Sequence, residues 1–304
     1  MMELLKDTSI DFIGFRKKAF IFSAFLVALG LFAFIMILFG KANLSVDFTG
    51  GTNLQIRFKD HVDIGALRKA IVDGGISDVQ IQEISGTNDF FIKTKLSDTS
   101  KENIQDKISA ILSGQIKDKK FEILGSSMVG AGVGKTLKQY AIIAACLAFI
   151  GIIIYIAWRF TFISGIAACI ATFHDVVAIL GVFYILDKEL NLLIITALLT
   201  IAGYSLQDTV VVFDRIRENM SKMKSKSDFG DTINRSINEV LSRTIVTGIS
   251  TLIALGALMI FGGEVLFDFS FALVVGLVVG TYSSIFVASP LIFIWRQKAR
   301  AKTL

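Results

Sequence analysis

Six stretches of nearly unbroken apolar side chains divide this sequence: Phe20–Phe39, Tyr140–Trp158, Phe160–Leu186, Leu192–Phe213, Thr244–Phe261 and Phe269–Ile294. Each is close to the roughly 20 residues that a helix needs to cross the hydrocarbon of a bilayer. The first follows Arg16, Lys17 and Lys18, has no small-residue cleavage site and is too long for a signal-peptide core, so it reads as a retained anchor. Between the first two runs the pattern changes. Leu54-Gln-Ile-Arg-Phe58 alternates as a strand, and Asp63–Val72 has helical apolar spacing ending at Gly74-Gly75. Val79–Ile84 and Phe90–Leu96 read as strands around a Gly86/Asn88 turn. A helix from near Ser100 puts Ile104, Ile108, Ile111 and Leu112 on one face, and Phe121–Leu124 closes as a strand. The order β-α-β-β-α-β is that of a split βαβ, ferredoxin-like sandwich. The expected fold class is therefore a polytopic α-helical membrane protein of six transmembrane helices, with an α+β ferredoxin-like domain between helices 1 and 2.

The expected organisation is residues 1–39 for the N-terminus and first span, 40–139 for the ferredoxin-like domain, and 140–304 for spans 2–6. Within the last, Phe229–Leu241 is amphipathic, with Ile233, Ile237 and Val240/Leu241 on one side, after the basic stretch Lys222–Lys226. It is expected to lie along the inner membrane surface and to lead into the fifth span.

Composition agrees with the pattern. Of 304 residues, 53% are hydrophobic and 19% charged, with a mean hydropathy of +0.66; a soluble domain carries about a quarter charged residues. Disordered, collagen-like and disulfide-stapled classes are excluded. The net charge of +5 matters less than where it sits. With the N-terminus inside, the inner segments hold sixteen Lys and Arg and the two short outer loops hold only Lys188. The positive-inside bias then places both termini in the cytoplasm and residues 40–139 on the outer side of the membrane. The surroundings are membrane lipid, and no nucleic-acid partner is implied. Cys146 and Cys169 lie in apolar runs without Cys-x-x-Cys spacing and read as small buried hydrophobes.

Little points to an enzyme. Gly130-Ala-Gly-Val-Gly-Lys-Thr136 has three residues where a phosphate loop needs four, so it reads as a flexible joint to the second span. His61 and His174 lack partners at metal spacing, and no cofactor is implied. The informative residues are charges at membrane depth, where ionisable groups are expensive and usually functional. Asp175 lies in the third run and Asp208 in the fourth, within Gly203-Tyr-Ser-Leu-Gln-Asp-Thr209. Helix rise puts Asp208 roughly 24 Å from the outer end of its helix and Asp175 roughly 22 Å from the inner end of its own. Burial penalises a charged carboxylate, so such a group can take up and release a proton, and Tyr204, Ser205, Gln207 and Thr209 could carry water to it. The competing reading, for either Asp, is a hydrogen-bonded carboxyl that glues helices. Arg243, in Leu241-Ser-Arg-Thr244, either snorkels to the interface or reaches Asp208. Asp214, Arg215, Arg217 and Glu218 read as charges at the membrane edge that pair with the amphipathic helix. Gly276-x-x-x-Gly280 permits close packing, within the bundle rather than between copies.

Several segments, in order along nearly the whole chain, resemble the SecD/SecF family of the bacterial Sec protein translocase. They are Val46-Asp-Phe-Thr-Gly-Gly-Thr52 (with Asp47, Gly50 and Gly51), Gly203–Thr209 (with Gly203, Tyr204, Ser205 and Asp208), and Phe213-Asp-Arg-Ile-Arg-Glu-Asn219 (with Asp214 and Arg215). Leu241–Thr244, Thr281-Tyr-Ser-Ser284 and Ala288-Ser-Pro290 complete the set. One departure is Ala131, where the family pattern leads one to expect proline. The resemblance implies an RND-like bundle forming half of a pseudo-symmetric pair with SecD, in the bacterial inner membrane, which makes the outer side of residues 40–139 the periplasm. It implies an accessory subunit that couples the proton gradient to late steps of protein export, with SecYEG, a YajC-type subunit and the unfolded preprotein as further partners. Proton passage is associated in the family with the residues matching Asp208 and Arg243; Asp175 is a third candidate. The alternative is a free-standing RND-like exporter of small or lipidic substrates, disfavoured because those exporters carry two six-span halves and bulky outer domains.

Overall fold

The computed structural model describes residues 8–76, 79–84, 87–95, 104–116, 119–222 and 229–301. Gly86, Leu96, the helix start near Ser100 and the basic residues after Lys222 lie outside the described residues. The chain divides into two compact units, Leu44–Ile143 and Met1–Asn43 with Ala144–Leu304.

The first unit opens with a short helix, α2 (Val46–Thr49), after the membrane helix α1 (Arg16–Leu38). Then come β1 (Gly51–Phe58), α3 (Ile64–Asp73), β2 (Val79–Glu83), β3 (Asp89–Lys95), α4 (Ile104–Gln115) and β4 (Phe121–Val129). The strands pair antiparallel in the order β2-β3-β1-β4, the split βαβ arrangement. Alternation in β1 and β3 turns Leu54, Ile56, Phe58, Phe90 and Ile92 to one face, where Leu67 and Ile71 of α3 and Ile108 and Leu112 of α4 meet them. Asp63 starts α3 by accepting from the Ala66 amide at 3.0 Å. Asp89, the buried first residue of β3 and the cross-strand partner of Arg57, accepts from its guanidinium at 2.6 and 2.8 Å, which holds the carboxyl below the usual range. Strand β4 runs five residues past the Leu124 at which the alternation stops. Its register shifts opposite Gln55/Ile56, and beyond that point Leu124–Met128 are exposed along the sheet edge, so burial leaves no period-two trace.

The second unit is a helical bundle: α1, the part of α5 (Ala131–Arg159) from Ala144 on, its start belonging to the first unit, α6 (Phe162–Ile185), α7 (Leu192–Ser221), α8 (Phe229–Phe261), α9 (Gly263–Ser283), a π-turn (Ser284–Ala288) and α10 (Ser289–Ala301). Among the described residues six helical segments are long and apolar enough to span a membrane, the sixth running from Leu266 to Gln297 through the π-turn. The π-turn leads into Pro290, which has no amide hydrogen and crowds the carbonyl four residues back; a widened turn accommodates it.

Helices α6, α7 and α9 form the buried middle, while α1, α5 and α8 turn outward with Phe25, Ile154, Trp158 and Ile253 exposed. Cys146 is on this outward side of α5, exposed rather than buried, and Cys169 is half-buried. Small residues set the closest crossings. A Cβ on Gly30 would lie 1.9 Å from the Val177 carbonyl oxygen, and one on Gly181 would lie 3.0 Å from the Gly30 nitrogen, so α1 and α6 touch backbone to backbone. Gly276 meets Ile201 and Ile179, and Gly280 meets Ser205, so the Gly-x-x-x-Gly pair packs inside the bundle.

Two expectations change. Segment 229–241 is no separate surface helix but the start of the continuous α8. Its Ile233, Ile237 and Leu241 pack into the bundle core, and Asn238 and Asn234 accept from the Ile10 and Ile13 amides at 3.0 and 2.9 Å. The glycine-rich stretch 130–136 is also no flexible joint, because α5 begins at Ala131.

Candidate functional site

Asp175 sits mid-way along α6, where Ala167, Ala168, Ala171, Ala178 and Gly181 let neighbouring helices approach. It is fully buried and answered on every side. Its Oδ2 accepts from Ser283 of α9 at 2.8 Å and from Ser205 of α7, and its Oδ1 lies 2.9 Å from His174 Nδ1. Beside it the Thr209 and Ser284 hydroxyls lie 2.8 Å apart, and Ser289 donates to the Ser284 carbonyl at 2.9 Å. A carboxylate with partners on two other helices fastens α6, α7 and α9 at one level.

Asp208 is held differently. It is 8% exposed, and among the described residues its one hydrogen-bond partner is the Thr281 hydroxyl of α9 at 3.5 Å, the long limit of a hydrogen bond. Ser205, which binds Asp175, is one helical turn before Asp208, and Ser283 is two residues from Thr281. Both carboxylates therefore draw on α9, and the α7 turn that carries Asp208 also serves Asp175, so the two lie in adjacent layers rather than in opposite halves of the bundle. Arg243 is exposed on α8 and forms no ion pair with Asp208, although its charge bears on that carboxyl through space. Tyr204 ties α7 to α8, its hydroxyl 3.1 Å from that of Thr251. Around them, Thr196, Thr200, Gly203 and Gln207 of α7 and Arg243, Thr247 and Ser250 of α8 are exposed, a polar band on an otherwise apolar exterior.

The other motif residues are structural in their contacts. Asp214 pairs with Arg159 of α5 at 2.6 Å, and Arg215 pairs with Glu239 of α8 at 2.6 Å and Glu218 at 2.7 Å, fastening the end of α7. In the sheet unit, Ser45 caps α2 by accepting from the Asp47 amide at 3.2 Å. Gly50 and Gly51 then turn into β1 with φ of 75° and 152°, a region that suits glycine. A Cβ on Gly134 would fall 2.9 Å from the Gly50 nitrogen, so the first turn of α5 rests directly on the glycine pair. Sequence reasoning gave Thr281 and Ser283 no role of their own, and read Ser205 as a carrier of water rather than as a donor to Asp175. Hydroxyls in a span read as small packing residues; their density around Thr281-Tyr-Ser-Ser284, just before Ser289-Pro290, was the available signal.

Residues 108–298 match the family described as "Protein export membrane protein SecD/SecF, C-terminal", and residues 35–60 match the "SecD/SecF GG Motif". The protein translocase subunit SecF of Thermodesulfovibrio yellowstonii is 50% identical over 99% of this chain and 100% of its own length. The chain belongs to the SecF family. The SecF of Calditerrivibrio nitroreducens is 42% identical over 96% of each chain. Among solved structures, SecDF of Thermus thermophilus, described as a translocon-associated membrane protein, aligns with a TM-score of 0.81 at 34% identity over 96% of this chain. SecDF in a super-membrane-facing form aligns at 0.72, also with 34% identity. This SecF-family chain spans only 39% and 40% of those SecDF chains. The glycine pair Gly50-Gly51 falls in the segment matched as the GG motif, and Asp175, Asp208, Arg243 and Ser283 fall in the C-terminal match.

Proposed function

We propose that this chain is the SecF half of a SecD–SecF pair which, with SecYEG and a YajC-type subunit, uses the proton gradient to assist late export of unfolded preproteins across the bacterial inner membrane. Both termini are cytoplasmic in this reading, and residues 40–139 form a periplasmic domain. Asp208 binds the travelling proton, Arg243 biases its charge, and Asp175 holds the helices that must move.

The observation that carries the reading is the contrast between the two carboxylates. A structural carboxylate recruits donors, as Asp175 does. Asp208 is buried almost as deeply but has a single long bond, so neither its charged nor its neutral form is locked. Protonation removes the charge and alters how α7 meets α9 and α8. The exposed polar band, with Gln207 and Arg243 at membrane depth, supports a protein neighbour on that face, since lipid cannot satisfy such groups. The chain's length relative to SecDF supports SecD as that neighbour. The test is preprotein export in vesicles holding SecYEG, SecD and this chain, with and without a proton gradient. Stimulation should need both subunits and should vanish when the gradient is collapsed; stimulation that survives collapse contradicts the proposal.

A further inference from the structure

His174 is 2% exposed, and its Nε2 is a buried nitrogen without a hydrogen-bond partner among the described residues. Its Nδ1 faces Asp175 at 2.9 Å, on the carboxylate oxygen that the serines do not use. Leaving a buried polar atom unsatisfied destabilises a fold. Gluing α6 to α7 and α9 needs only Asp175 with Ser205 and Ser283, and an apolar side chain at 174 would fill the same space without that cost. The ring is thus placed with one nitrogen fixed against an anion and the other left open.

We propose that His174 is a second proton-binding site of the bundle, taking up the proton on Nε2 with Asp175 as its counter-ion. This rests on the proton-coupled reading of Asp208. The proton adds to the Nε2 lone pair; the Nδ1 proton stays directed at Asp175, and no other bond changes. Uptake converts a buried anion beside a neutral ring into a neutral ion pair, and release from Nε2 restores the anion, which the two serines hold meanwhile. The elements packed against α6 present few groups that compete. From α9 comes Tyr282, its ring 6.3 Å from the imidazole and its hydroxyl donating to the Ala19 carbonyl at 2.8 Å and lying 3.1 Å from that of Ser23. At the level of Tyr282 helix α1 brings the Ser23 hydroxyl and the Ala19 carbonyl, its cations Arg16, Lys17 and Lys18 coming earlier in the helix; the π-turn brings Ser284, and α10 has no ionisable side chain before Arg296. Helix α7 brings Ser205 and, one turn on, Asp208. Helix α9 serves both carboxylates, Asp175 through Ser283 and Asp208 through Thr281, so a change of charge at one site bears on the helix that holds the other.

The chain has two histidines, and His61 is exposed in the sheet unit, so His61→Gln leaves His174 as the sole imidazole. Nitrogen-15 NMR of the full chain in lipid nanodiscs then reads His174 directly, independently of export. The Nε2 resonance should pass from the imidazole to the imidazolium position between about pH 5 and pH 9. Its midpoint should move by about one pH unit or more in Asp175→Asn. Should that variant not fold, Ser283→Ala, which removes one donor to the anion, should move it by a smaller measurable step. A resonance that stays put across the range overturns the site, as does a midpoint unchanged by loss of the Asp175 charge. If His174 is silent while export still responds to the gradient through Asp208, this site is wrong and the reading of Asp208 stands.

Discussion

The sheet unit and the bundle are built on opposite rules. In the sheet unit Leu54, Phe58, Phe90 and Leu112 are inside, and the one buried charge among the described residues, Asp89, is closed off by Arg57. In the bundle Phe25, Ile154, Trp158 and Ile253 face outward, while Asp175, Ser205, Thr209, Ser283 and Ser284 are buried. The difference follows from the solvent. Water drives apolar side chains together, whereas lipid is as good a neighbour for isoleucine as another helix is. Helices in lipid are therefore specified by close backbone crossings and by polar contacts, and the polar interior is where a proton can be held.

Breaking each unit at its own kind of contact should expose the contrast. Phe58→Ala should cost the sheet unit about 3–5 kcal/mol, read by chemical denaturation of residues 44–143 expressed alone. An unfolded parent fragment would contradict the claim that this core closes by itself. In the bundle the corresponding failure comes from adding volume. Gly30→Val would drive a side chain into the Val177 carbonyl and should cost about 3 kcal/mol or more, seen as a lowered melting temperature in detergent.

Gly203 sharpens the comparison, because it is a motif glycine with open space around its missing Cβ and an exposed position on α7. Gly203→Ala should stabilise the isolated chain by about 0.5–1 kcal/mol. If SecD covers this face, the same change should weaken co-purification with SecD; unchanged assembly would place the partner elsewhere. The smallest effect is electrostatic. Because Arg57 lowers the carboxyl of Asp89, their pairing contributes stability above the unfolded value of about 3.9 and loses it as pH falls through the lowered folded value. The sheet unit should therefore become less stable in acid below about pH 4, and Asp89→Asn should flatten that part of the profile.

Much of this was legible in the sequence because hydrophobic pattern and solvent act on the same residues. The six apolar runs marked the spans, and alternation in β1 and β3 marked the sheet. Helices α7 and α8 outrun their apolar stretches, to Ser221 and from Phe229, because their end turns are polar and hydropathy does not register them. The second half of β4 was hidden by exposure. Gly130–Thr136 looked flexible because a glycine needed for contact, Gly134 against Gly50, cannot be told in sequence from one that loosens a chain. Asp175 and Asp208 stood out as charges in apolar runs. Their difference in environment did not, since it lies in hydroxyls contributed from α7 and α9, far apart in the chain.

The central claim is that Asp208 carries a proton rather than fastening helices. Asparagine keeps its shape and most of its hydrogen bonding but cannot titrate. In vesicles containing SecYEG, SecD and the Asp208→Asn chain, assembly with SecD should be normal by pull-down and export stimulated by the proton gradient should fall to the level without a gradient. Full stimulated export by a normally assembled Asp208→Asn complex would contradict the claim and leave Asp208 as a structural carboxyl.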